Sequence, residues 1–221
     1  LFLRLFLKGV EKKAIEIAVI SDVHLGTYQS HAEELLAYLS SIRPKKLILN
    51  GDIIDRGQSA RTYFPQAHFK VLKKILGLAA GGTEVYYLSG NHEPMMRKFR
   101  GYNLNNFHVK NRLLLHLDGK KVWFFHGDVF DLMPGMGKWI TRLGSIGYGF
   151  LTGVNRGVNW FRTKIGKTPI SPALRMREHP EEAARLIRRF EKATSDVAIR
   201  NGFDCVVCGH LHKPAKQWVE T

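Results

Sequence analysis

A chain of 221 residues that is 44% hydrophobic and 24% charged has the make-up of a globular protein large enough to bury a core without staples. Its formal net charge of +15 points to anionic partners: nucleic acid, anionic lipid or a phosphorylated substrate. Two cysteines exclude a disulfide framework and predict an intracellular protein, and no run of about 18 apolar residues is present to span a membrane.

The opening LFLRLFL is apolar but too short for a signal peptide. Ala14–Ile20 then reads as a buried, β-branched strand ending at Ser21-Asp22. His31–Ile42 carries apolar residues at helical spacing, and Lys46–Asn50 is a second strand. Residues 64–82 read as a helix stopped by Gly81-Gly82, and EVYYLSG (84–90) as a third strand. LLLHL and KVWFFHG flank Asp118-Gly119, a strong hairpin signal. A helix is predicted from Pro180 to Arg200, with proline in its first turn, and a late strand at DCVVCG. Cys205 and Cys208 stand in C-x-x-C spacing, but within an apolar run they read as small buried side chains. Strand–helix–strand order predicts an α/β fold with parallel pairing.

Residues 132–177 break this rhythm. They hold eight basic residues and no Asp or Glu, and small or apolar residues recur there every three or four positions, as on one helix face. Such a segment suits an anionic membrane surface, the lining of an acyl-chain tunnel, or a helical hairpin packed on the core.

Five polar clusters each follow an apolar strand: SDVHLG (21–26), NGDIIDRG (50–57), SGNHE (89–93), FHGD (125–128) and CGHLH (208–212). In open α/β sheets, loops leaving the carboxyl ends of strands converge on a site. Asp22 and His24 lie two residues apart, as do His210 and His212, and Asp52, Asn91 and His126 add one donor each. With no thiolate in the set, Mn²⁺, Fe or Zn²⁺ suits it better than Cu(I) or an iron–sulfur cluster. Seven ligands exceed what one ion takes but serve two if Asp52 bridges them.

The order D-x-H, G-D-x-x-D, G-N-H-[D/E], G-H, G-H-x-H resembles the calcineurin-like metallophosphoesterase superfamily, over nearly the whole chain from Ile20 to His212. The resemblance implies a single α/β domain, a four-layer α/β/β/α sandwich with a basic helical insertion or lid at 132–193, and strands continuing beyond residue 221. It implies one metal held by Asp22, His24, Asp52 and His212 and a second by Asp52, Asn91, His126 and His210. Water activated by two ions would attack phosphorus in line, with Asp52 and His92 as catalytic residues, His92 as proton donor to the leaving oxygen, and Asp55 or Glu93 bracing a ring or ligand.

Within the superfamily, SDVHLG, GDIID, HGDVFD, the insertion and GHLHKP resemble the UDP-2,3-diacylglucosamine diphosphatases of lipid A synthesis. That family uses Mn²⁺ at the cytoplasmic face of the inner membrane and releases UMP and a lipid monophosphate. Its insertion holds acyl chains and phosphates, which makes Arg156, Arg162, Lys164, Lys167 and Trp160 candidate substrate contacts. The best-known branch has arginine where His92 stands and Cys-Thr where Val129-Phe130 stand, so this chain resembles a sister branch. GDIIDRG and GNHE also resemble Ser/Thr protein phosphatases, which lack the final G-H-x-H. A nuclease would account for the charge but not for the apolar face. A membrane-binding scaffold with a dead site is the reading outside enzymes.

Overall fold

The computed structural model describes residues 12–55, 63–93, 95–130, 161, 164–166 and 180–219. Strand β1 (Lys13–Ile20) leads through a loop to helix α1 (Ala32–Ser41) and strand β2 (Ile42–Asn50). Helix α2 (Gln66–Ala80) ends at Gly81, whose N–H closes back on the last turn, and strand β3 (Glu84–Leu88) follows. Short strands β4 (Asn103–Leu104) and β5 (Phe107–Lys110) precede the hairpin of β6 (Arg112–Leu117) and β7 (Lys120–Phe125). Helix α3 (Pro180–Arg200) and strand β8 (Cys205–Cys208) complete the described elements.

Two sheets result. The first has the order β1-β2-β3-β5-β4, parallel except for β4, and the second has the order β6-β7-β8, with β6/β7 antiparallel and β7/β8 parallel. Successive side chains of a strand point to opposite faces. In β2 this sends Leu47 and Leu49 into a core with Val71 and Ile75 of α2, while Ile48 packs with Leu88 against Leu113, Val122 and Phe124 of the second sheet. In β7 it sends Trp123 and Phe125, stacked 4.0 Å apart, toward Val197 of α3. Strand segments buried on both faces must be apolar throughout, which is why Leu47–Leu49 of β2 and Val122–Phe125 of β7 read as unbroken hydrophobic runs. The layers are therefore helix, sheet, sheet, helix, the expected four-layer α/β/β/α order.

Three details differ from the sequence reading. Strand β2 begins at Ile42, not Lys46. Pro44 is tolerated because β3 pairs with β2 only from Lys46 onward, so at Pro44 the strand has a single neighbour and needs no second N–H. Strands β4 and β5 are too short to carry a periodic signal. Cys205 and Cys208 are exposed free thiols, not buried ones, although both lie in an apolar run. Among the described residues no helix is long and apolar enough to cross a membrane. The apolar face at 132–177 lies outside the described residues apart from 161 and 164–166.

Candidate metal centre

The parallel strands β1, β2 and β3 all deliver their following loops to the same end of the sheet, and the hairpin strand β7 and β8 deliver theirs beside it. The β1 and β2 loops are zipped together by backbone: Asp22 N–H donates to Gly51 O (3.1 Å), His24 N–H to Asp52 O (2.9 Å), Leu25 N–H to Ile53 O (2.8 Å) and Asp55 N–H to Leu25 O (2.8 Å). The first loop is clamped to the last by Asp22, whose two carboxylate oxygens accept the backbone N–H of His210 at 2.9 and 3.1 Å.

All seven sequence-derived ligands meet here. Asp22, His24 and His212 form one group and Asp52, His126 and His210 another, each with donor atoms within 4.8 Å of one another. Asp52 stands between the groups: its Oδ2 lies 3.1 Å from His126 Nε2 and 4.0 Å from His24 Nε2. Asn91 Oδ1 is 3.2 Å from His126 Nε2. Asp52 Oδ1 is occupied separately, accepting the His92 N–H at 2.9 Å, so Oδ2 is the oxygen turned to both groups.

Hydrogen bonds fix which ring nitrogens face inward. The Asn50 carbonyl, 3.0 Å from His126 Nδ1, can only accept, so Nδ1 carries a proton in either charge state, and Nε2 is the nitrogen whose lone pair is freed when the ring is neutral. Asp55 does the same for His24, with Oδ2 at 3.1 Å from Nδ1. That leaves His24 Nε2 facing His212 Nε2 at 3.1 Å. Two imidazole nitrogens and the Asp22 carboxylate converging this closely form a group that could hold a divalent cation, with Asp55 behind the His24 ring as an outer partner. The residues fit two such ions.

The backbone is bent to bring this about. Of the seven described non-glycine residues with positive φ, five are Asp22, His24, Asp52, His210 and His212, at 50–76°. Aspartate tolerates this region better than most residues and histidine is enriched in it, but each still costs of order 1–3 kcal/mol, strain typical of functional loops. Gly51, at φ +84, meets a second demand: a Cβ there would collide with the His126 ring.

The electrostatics follow from burial and crowding. Burial opposes the charge on both His126 and Asp52, but each faces the other. Their attraction raises the His126 pKa to about 10 and holds the Asp52 carboxyl well below the usual carboxylate range. Burial also works against charged His92, yet Asp55, 3.1 Å from its Nδ1, and Asp52 outweigh it and raise its pKa. For His212 burial prevails and the pKa is lowered.

Asp55 and Glu93 have separate tasks. Asp55 contacts the rings of both His24 and His92. Glu93 touches no ligand ring. It is buried, and its carboxylate accepts the Ile54 N–H at 2.5 Å and the Tyr87 hydroxyl, tying the third loop to the second. One residue was missed by sequence reasoning: His68, buried on α2, whose Nδ1 accepts the Gly26 N–H at 2.9 Å and so holds the loop that bears Asp22 and His24. A histidine in an amphipathic helix looks like any polar position, and only the tertiary contact reveals it. Of the candidate substrate contacts, Arg156, Trp160, Arg162 and Lys167 lie outside the described residues, and Lys164 lies in the short described piece 164–166.

A curated relative, the UDP-2,3-diacylglucosamine hydrolase of Blochmanniella pennsylvanica, is 24% identical over 91% of this chain and 80% of its own. Among solved structures, a protein of unknown function from Aquifex aeolicus aligns over 91% of this chain and 81% of its own at 14% identity and a TM-score of 0.44. A predicted phosphoesterase from Streptococcus pneumoniae aligns over 57% and 55% at 19% identity and a TM-score of 0.27. The calcineurin-like phosphoesterase model matches residues 15–214, which takes in all seven candidate ligands. With the match running from the first strand past His212, the chain belongs to the calcineurin-like phosphoesterase family, enzymes that hydrolyse phosphoesters and imply divalent metals.

Proposed function

We propose that the protein is a dinuclear metal-dependent phosphohydrolase that cleaves the diphosphate of a lipid-linked nucleotide sugar, UDP-2,3-diacylglucosamine, to UMP and a lipid monophosphate. The observation that carries the reaction class is the position of the Asp52 carboxylate, with Oδ2 3.1 Å from His126 Nε2 and 4.0 Å from His24 Nε2, and with the His92 backbone N–H on its Oδ1. Asp22, His24, Asp52 and His212 would hold one ion, and Asp52, Asn91, His126 and His210 the other. When bound, two divalent ions, Mn²⁺ foremost with Fe or Zn²⁺ as alternatives, neutralise phosphate charge and acidify water. The protein's own residues do the rest. Asp55 orients His24 and His92, and the carboxylates of Asp55 and Asp52 raise the His92 pKa and favour the protonated ring that can donate to a leaving oxygen. The strained loops hold the donors preorganised, so little is lost in ordering them when substrate arrives.

The substrate reading rests on the name borne by the Blochmanniella relative and on the acid-free basic stretch 132–177, which directly follows the HGDVFD loop. In this reading residues 132–193 are a lid that holds acyl chains and diphosphate, and the protein binds the cytoplasmic face of the inner membrane peripherally. The test is a substrate panel with Mn²⁺: UDP-2,3-diacylglucosamine, bis-p-nitrophenyl phosphate, a phosphopeptide and single-stranded DNA. UMP release from the first at a rate well above the others is expected. Turnover of only the phosphopeptide or the DNA would sink the lipid reading. No turnover of any substrate, with His92→Ala indistinguishable from the parent, would favour the scaffold.

A further inference from the structure

The charge surplus is not confined to the insertion. A groove of about 560 Å³ opens between α1, α2 and the amino ends of the first sheet's strands, lined by Lys12, Arg43, Lys70, Lys73 and Lys74. The metal centre lies at the carboxyl ends of those strands. Eight residues of β1 separate the two, roughly 25 Å at about 3.3 Å per residue. The groove is thus a different place from the site already described.

Three observations set it apart from a solvated lysine face. First, its cations lack carboxylate partners among the described residues. The nearby Lys45 and Lys46 pair with Glu16 at 2.8 Å and with Glu84, but among the described residues none of the five lining cations has a carboxylate within 4.0 Å. Lys74 is crowded further: burial and then the neighbouring charge of Lys12 lower its pKa, which a bound anion would relieve. Second, its floor is apolar, formed by Leu36, buried Ile42 and Leu78. Third, Gly77 sits inside α2, where glycine costs about 1 kcal/mol relative to alanine, and a Cβ built there meets nothing within 4 Å. The helix keeps the space open at that cost, on the same stripe as Lys70 and Lys74. A volume of this size is that of a small-molecule site.

We infer that this groove binds a phosphate-bearing amphiphile, its phosphate among the five cations and its apolar part on Leu36, Ile42 and Leu78. The phosphate can come from a lipid headgroup or from a free small molecule, and the inference does not rest on the proposed substrate. The test titrates the full, Mn²⁺-loaded chain with dihexanoyl phosphatidic acid by calorimetry. One-to-one saturable binding is expected. The double variant Lys70→Gln/Lys74→Gln should weaken it at least tenfold, and so should Gly77→Leu, whose Cβ enters open space and whose side chain would occupy the groove. Both variants should hydrolyse bis-p-nitrophenyl phosphate as the parent does, which separates this site from the metal centre. Competition by pyrophosphate identifies a free phosphate as the source. Competition only by phosphatidylcholine vesicles containing phosphatidic acid identifies a headgroup. Absence of saturable binding, or binding that both variants leave unchanged, overturns the inference.

Discussion

Asp55 Oδ2 lies 3.1 Å from His92 Nδ1, so the carboxylate both orients the ring and supports its charge. Nε2 is left as the nitrogen that faces Asp52, 3.9 Å from its Oδ2. His92→Ala should therefore lower kcat about 10²–10⁴-fold with metal content unchanged. Asp55→Asn should cost about 10–100-fold. It should also move the alkaline limb of the pH–kcat profile to lower pH, since His92 loses the partner that raises its pKa. A profile of Asp55→Asn that overlays the parent would refute the coupling.

Metal binding should expel a proton. In the metal-free protein His126 is charged, with a pKa of about 10, because Asp52 faces it. Metal needs the neutral ring, so at pH 7 binding displaces that proton, and affinity should climb with pH until it levels off near pH 10. Calorimetry in buffers of different ionisation enthalpy measures the proton count directly. The same shift has a stability consequence once metal is stripped. The Asp52–His126 contribution from His126 is fully present below the histidine's unfolded pKa of about 6.5 and is lost as pH rises through about 10.

His68 should matter to metal affinity without touching metal. His68→Ala leaves the Gly26 N–H unpaired beneath α2 and opens a cavity, with an expected stability loss of about 1–3 kcal/mol from the orphaned donor alone. Ion retention should drop, because the loop bearing Asp22 and His24 is no longer held. His68→Gln retains an acceptor and should restore part of both. Burial lowers the His68 pKa, so its contribution is complete above the unfolded value of about 6.5 and fades as pH falls through the folded one. That acid-side loss should be absent in His68→Gln, as followed by urea melts at several pH values.

Gly51→Ala should disable the centre through geometry. It adds a Cβ at φ +84 and drives it into the His126 ring. A left-handed alanine alone costs roughly 1–2 kcal/mol. The displaced imidazole should lower metal occupancy, read by elemental analysis, while Gly77→Ala, in open space on α2, should stabilise the fold by about 1 kcal/mol.

The candidate ligand positions could be read from sequence because each follows an apolar strand, and the carboxyl ends of parallel strands share one edge. Asp22, Asp52, Asn91, His126 and His210 all obey that rule. The supporting contacts could not be read, since they join elements far apart in the chain: His68 with Gly26, and Glu93 with Ile54 and Tyr87. Asp55 and Glu93 looked equivalent as acidic neighbours of ligands, and only the fold assigns one to the rings and the other to the backbone. Cys205 and Cys208 misled for a related reason. Apolar neighbours predict burial only when another layer covers the strand, and on β8 both thiols are exposed.

The bond from the His210 N–H to Asp22 closes a span of 188 residues. At about 5–20 residues per second, a ribosome needs roughly 10–40 s to make the second partner after the first. Through that interval the early ligands are on hand but the late ones do not exist. Assembly of the donor set thus waits on the loop that bears His210, and a chain broken off before that loop can hold the early strands yet never bring the full set of donors together.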